Sequence, residues 1–228
     1  MDLIQALAAE LGKDPRHVEN VVRLLDEGNT IPFIARYRKE LHGAMDDTSL
    51  RTLEERLQYL RGLEERREAV KKSIDEQGKL TDELAAAIDN AKTLAEVEDL
   101  YRPYKQKRRT RATMAKEKGL EPLAALLFAQ ERDCPRPEEA ARDFVDPEKG
   151  VETVEDALQG ASDIIAEQIS DDAAIRKSLR ALISRQGQLV SRAATEDDSV
   201  YRLYYDFTQS VARLQGHQVL AINRGEKE

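Results

Sequence analysis

Apolar positions recur along most of the chain at three- and four-residue steps, the spacing of helices with one buried face. Leu3, Leu7 and Leu11 define a first helix, and the pattern breaks over Gly12 to Asp14. Asp14 can cap the next helix and Pro15 suits its first turn. There Val18, Val21, Val22 and Leu25 form an apolar stripe that ends at Gly28. Pro32 opens a third helix, PFIARYRKEL, with Phe33, Tyr37 and Leu41 on one face and Gly43 as its stop. Three helices with a tight second turn suit a helix-turn-helix.

Leu50, Leu53, Leu57 and Leu60 then make a heptad seam flanked by Glu54, Glu55, Arg56, Arg61, Glu64, Glu65, Arg66 and Arg67, drifting to Leu63, Val70 and Ile74 before Gly78. Only two heptads are regular, so the long charged helix is expected to pack within its own chain rather than as a dimeric coiled coil. Thr81 opens a helix through Ile88, and Thr93 with Glu96 reads as a capping box ahead of Leu94, Val97 and Leu100. Pro103 stops that helix, Gly119 ends a short one, and Pro122 begins EPLAALLFAQ. Pro135 and Pro137 bracket a turn before EEAARDFV, and Thr153 with Asp156 is a weaker box opening VEDALQGASDIIAEQI. Asp171 and Asp172 stand where carboxylates favour the dipole of AAIRKSLRALISRQ, which Gly187 ends. The tyrosine-rich last stretch from Ser199 reads as helix or turn. The expected class is all-α, multi-helical hairpins with an N-terminal helix-turn-helix-like unit at 1–45, a long charged helix and basic loop at 46–130, and an acidic helical region at 131–228.

Composition agrees with helix: 35% of the 228 residues are charged, 5% are aromatic, and glycine and proline together number eighteen. Cys134 is the one cysteine, so no intrachain disulfide can form and nothing suggests an oxidising compartment. The opening MDLIQALAAELGKD has neither a signal peptide's apolar core nor a span's length, which predicts a cytoplasmic protein with no membrane partner.

Charge changes the picture most. The formal net charge is −8, yet eight of the seventeen residues from Arg102 to Lys118 are basic against one acid, Glu117. Residues 1–130 hold 23 basic and 24 acidic residues, and 131–228 hold 13 and 20. Arg102, Lys105, Lys107, Arg108, Arg109 and Arg111 therefore form a candidate contact for phosphates of RNA or DNA, and Tyr101 and Tyr104 could add stacking against a base. The competing reading pairs these cations with acids of the long Glu-rich helix.

Other chemistry is thin. Arg16, His17, Asn20 and Arg23 share the polar face of the second helix and have the groups that read base edges, but Asp14, Glu19, Asp26 and Glu27 would repel a duplex. Arg36, Arg38 and Lys39 lie beside Tyr37, where a salt-bridged face is an equal reading. His17, His42 and His217 stand in no zinc spacing, and Cys134 lacks a base. The acid pairs Asp46–Asp47 and Asp171–Asp172 fall at helix starts, leaving Asp197–Asp198. There is no phosphate loop and no nucleophile elbow, so no enzyme activity, metal or cofactor is expected.

The phrases TIPFIARYRKELHGAMDDTSLRTLEERLQYLRGLEERR, IDEQGKLTDELAAAI and TLAEVEDLYRPYKQKRRTRATMAKEKGLEPLA resemble, in order and spacing, the N-terminal part of the bacterial transcription accessory protein Tex family. The resemblance runs from LAAELG to HQVLAINRGEKE. It implies a longer protein in which an RNase H-like domain without catalysis, helix-hairpin-helix repeats and an OB-fold RNA-binding domain follow. It also implies a core similar to a eukaryotic elongation factor and histone chaperone, a place in transcription, and nucleic acid and transcription proteins as partners. The expected role is a non-catalytic helical scaffold supporting nucleic-acid binding. The alternative is a protein-interaction module using the charged helix 50–77 and the acidic second half, and a metal-dependent nuclease ranks third.

Overall fold

The computed structural model describes residues 3–106, 108–132, 134–195 and 197–227. It divides into two compact units, Met1–Tyr101 and Arg102–Glu228. Both are built mainly of α-helices, as the spacing predicts, and among the described residues no helix is long and apolar enough to cross a membrane.

In the first unit, α1 (Leu3–Leu11), α2 (Pro15–Asp26) and α3 (Ile31–Tyr37) pack on α4 (Asp47–Asp75), as do α5 (Asp82–Asn90) and α6 (Leu94–Tyr101). Side-chain caps start these helices where the sequence places them: Asp14 accepts from the Arg16 amide, Asp46 from Ser49, Thr81 from Leu84. Thr93 accepts from Glu96, while the Glu96 carboxylate takes the Lys92 amide.

Three expectations need correction. The α2 stripe buries Leu24 where Leu25 was expected, because the core lies on both α1 and α4 and widens the buried arc. Helix α3 stops at Tyr37 and buries Ile31 and Ile34, not the Phe33, Tyr37 and Leu41 face, so its larger rings lie toward water. The turn after it then tucks in His42 and Met45. Gly43 in that turn has φ +59°, and a Cβ there would overlap the His17 ring, so only glycine fits this approach.

Arg67 is the third correction. Expected among the flanking charges, it is 2% exposed and lies in the α4 seam with Leu50, Leu53, Leu57, Leu60, Leu63, Val70 and Ile74. Its guanidinium donates to the Ala91 carbonyl at 2.6 Å, closing the end of α5, and to Glu64 at 2.6 Å. Exposed ion pairs tie the rest of α4 down: Arg56 to Glu10, Arg61 to Asp26, Arg66 to Glu98 and Lys71 to Asp89. Hydrogen bonds from Arg56 and Arg61 hold the Glu10 and Asp26 carboxyls below their ordinary range.

The second unit comprises α7 (Arg111–Glu117), α8 (Glu121–Ala129), α9 (Pro137–Ala141), α10 (Val154–Asp171), α11 (Ala173–Gln186) and α12 (Gly216–Gly225). Its core is small-residue packing of α7, α8 and α9 on α10: Ala112, Ala115, Leu120, Leu123, Ala124, Ala140, Ala141, Val151, Ala157, Ala161 and Ile164. Alanines permit close helix approach, and the reciprocal Thr153–Asp156 capping box fixes where α10 begins. The last stretch corrects the helix-or-turn reading: β1 (Gln188–Arg192) pairs antiparallel with β2 (Asp206–Ser210), Val190 opposite Thr208. Alternation of half-buried Leu189 and Ser191 with exposed neighbours is the strand period, too short to stand out from sequence.

Replacing Arg67 with alanine orphans the Ala91 carbonyl and opens a cavity, an expected loss of about 3 kcal/mol in denaturant unfolding. Glu64→Ala, removing a half-exposed partner, is expected to cost under about 1 kcal/mol. Equal losses would show that the ion pair, not the burial, matters.

Candidate nucleic-acid interface

The run 101–111 begins at the last turn of α6, passes through a 3-10 turn at Arg102–Tyr104, and enters α7 at Thr110, whose hydroxyl accepts from the Thr113 amide. Proline at 103 ends the regular helix, which throws the following cations into a loop.

The structure gives the eight sequence-derived residues different circumstances. Tyr101 belongs to the first unit, where its hydroxyl meets Ser73 at 3.0 Å and its ring lies 5.3 Å from the Arg66 guanidinium carbon. Tyr104 is half-buried. Lys107 lies outside the described residues. Arg102 donates to Asp171 at 2.9 Å, Arg109 to Glu117 at 2.6 Å, and Arg111 stands 3.7 Å from Asp163. Lys105 and Arg108 are exposed and meet no acid among the described residues.

Internal pairing thus takes part of the run, but not with the Glu-rich helix α4. Glu117 comes from α7, and the other acids come from α10, where Asp163, Glu167 and Asp171 recur every fourth residue and so share one face. Asp163 meets Arg111, Glu167 accepts from the Thr110 hydroxyl at 3.1 Å, and Asp171 holds Arg102. Of the acid pair expected to start α11, only Asp172 caps it, accepting from the Ile175 amide; Asp171 ends α10. The i, i+4, i+8 spacing of these acids is the sequence signal for the rail, and it is masked locally because Asp171 also stands beside a helix start.

Exposure separates the pairs by strength. Asp171 is 12% exposed, so Arg102 is committed. The Arg109–Glu117 pair is 68% and 53% exposed, and such pairs are worth under about 1 kcal/mol, little enough for a phosphate to displace Glu117. The described cations of the run least tied within the chain are therefore Lys105, Arg108 and Arg109.

The polar face of α2 is arranged otherwise. Asn20 donates to the Leu41 carbonyl, and Arg23 to Asn20, so both serve the chain's own fold. Among the described residues no three His, Cys, Asp or Glu side chains cluster to hold a metal ion.

Two family descriptions match this chain: "Tex-like protein N-terminal domain" over residues 1–75 and "Tex central region-like" over 133–228. The chain belongs to the Tex family. An uncharacterised Bacillus subtilis protein is 48% identical over 99% of the chain and 32% of its own length. The "Transcriptional accessory protein Tex" of Neisseria gonorrhoeae is 43% identical over the whole chain and 30% of its own length. A human protein named "S1 RNA-binding domain-containing protein 1" is 32% identical over 99% of the chain and 23% of its own. The chain thus spans about a third of the length of the bacterial Tex relatives it matches. The basic run falls between the two matched regions.

Asp163→Asn with Asp171→Asn removes two negative charges from the rail while keeping its shape. The double variant is expected to leave heparin resin at higher salt than the wild-type chain. Unchanged elution would show that the rail does not limit the run's attraction for polyanions.

Proposed function

We propose that this chain is the N-terminal helical scaffold of a Tex-like transcription accessory factor, non-catalytic, contributing a phosphate-contacting surface to nucleic-acid binding. The observation that carries the reading is that Lys105 and Arg108 are exposed and meet no acid among the described residues, in a chain with eight more acids than bases. Exposed cations on a loop suit a polyanion's backbone, which asks for charge density rather than fixed geometry. The α10 rail anchors Arg102 through Asp171 and Thr110 through Glu167. Relatives named for transcription and for an RNA-binding domain support nucleic acid, RNA or DNA, as the partner, with transcription proteins beside it.

Fluorescence anisotropy of the full chain with labelled single-stranded RNA and duplex DNA across a salt series tests this. Affinity is expected to fall as salt rises, by about 0.7 in log K per log salt for each phosphate contact to a single strand. Arg108→Glu with Arg109→Glu is expected to flatten that slope by about 1.4 and weaken binding. A variant indistinguishable from wild type overturns the loop's role.

A second reading, a protein-interaction module, is favoured by α11. No residue of that helix is buried, and Ile175, Leu179, Leu182 and Ile183 form an exposed apolar stripe beside Arg176, Lys177, Arg180 and Arg185. Exposed stripes of this kind mark contact surfaces, and the basic margin suits an acidic protein segment. Leu179→Glu with Ile183→Glu is expected to change the chain's own stability by under about 0.5 kcal/mol, since both side chains already face water. Global unfolding of the variant would show instead that the stripe serves the fold.

A further inference from the structure

Helix α3 carries a concentration of positive charge unlike that of the 102–111 run. No acid occurs from Gly28 to Lys39, and Arg36, Arg38 and Lys39 fall within four residues. On α4 in the same unit, Arg51, Arg56, Arg61 and Arg66 all pair with carboxylates. Arg36 on α3 and Arg38 and Lys39 just after it form no ion pair among the described residues, which answers the salt-bridged reading of FIARYRKE.

Arg36 and Arg38 lie with aromatic rings instead, and Arg38 also donates to the Tyr37 carbonyl at 3.1 Å. The Arg38 guanidinium carbon is 5.3 Å from the Phe33 centroid and that of Arg36 is 6.0 Å from Tyr37, while the two rings stand 5.2 Å apart at 48°. Ile31 and Ile34 are the buried residues of α3, and Phe33 is half-buried beside them. Tyr37 is 56% exposed. Guanidinium groups held beside rings are partly ordered before a ligand arrives, and no carboxylate competes for them.

We infer that Phe33, Tyr37, Arg36, Arg38 and Lys39 form a stacking site for single-stranded nucleic acid. A base lies against the exposed Tyr37 ring, and the cations meet the phosphates on either side of it. Aromatic faces take any base and cations take any phosphate, so the site binds without sequence preference. A duplex keeps its base faces stacked and offers only phosphates; an acidic peptide would engage the cations and leave Tyr37 unused. This inference shares with the proposed function only the class of ligand and rests on different residues in the other unit.

The test uses the full chain and two labelled strands of equal length and phosphate number, oligothymidylate and an abasic tetrahydrofuran strand. Wild type is expected to bind the base-bearing strand about tenfold more tightly, the low end of one stacked base. Tyr37→Leu, which keeps apolar bulk without an aromatic face, is expected to erase that ratio, and Tyr37→Phe to keep it. Circular dichroism confirms that each variant folds; Tyr37→Phe differs from wild type by one hydroxyl, so its ratio reads the ring alone. Arg108→Glu with Arg109→Glu is expected to weaken both strands while preserving the ratio. Equal wild-type affinity for the two strands, or a ratio retained in Tyr37→Leu, overturns the inference. If the ratio behaves as expected but Arg108→Glu with Arg109→Glu changes nothing, the loop reading fails and the stacking site stands. Wild type binding neither strand overturns both.

Discussion

The first unit depends on one seam of side chains along α4. A 29-residue helix spans roughly 43 Å, and this seam is the apolar face by which the short helices of the unit are buried against it. Helices α1, α2 and α3 cover its first half and α5 and α6 its second, so each short helix is fixed by what it buries against α4. Short helices are marginal alone, and tertiary burial is what makes them persist. Arg67 shows how strict the seam is: a cation occupies it only because its guanidinium reaches the Ala91 carbonyl and the Glu64 carboxylate.

Charge allocation is the second organising constraint. With 44 acids available to 36 bases, a cation without a carboxylate is more informative here than one with. Most described α4 cations spend their charge tying helices together, and the α10 rail absorbs part of the basic run. Among the described cations that meet no carboxylate, Lys105 and Arg108 lie on the loop of the second unit, and Arg36, Arg38 and Lys39 lie on α3 and the turn after it in the first. One presents bare charge on a loop, the other charge beside exposed rings. The first geometry suits phosphates alone, and the second suits phosphates with a base between them.

These surfaces belong to about a third of the length of the bacterial Tex proteins the chain resembles. The exposed apolar stripe of α11 has a different chemistry from either basic patch.

Sequence by itself determined the helices, most of their caps and the α4 seam, because helical period and capping are local properties that residues within four positions express together. Even Arg67 was legible: Leu53, Leu60, Arg67 and Ile74 are seven apart, and only the habit of placing arginine outside hid it. Tertiary structure alone decided which cations stay unpaired, since the acids that neutralise Arg102 and Arg111 lie 69 and 52 residues away on another helix. It likewise decided that α3 buries isoleucines and leaves Phe33 and Tyr37 at the surface, because the partner α4 lies on one side of that helix only. Pairing and burial depend on what folds back across long stretches of chain, and no local spacing encodes that.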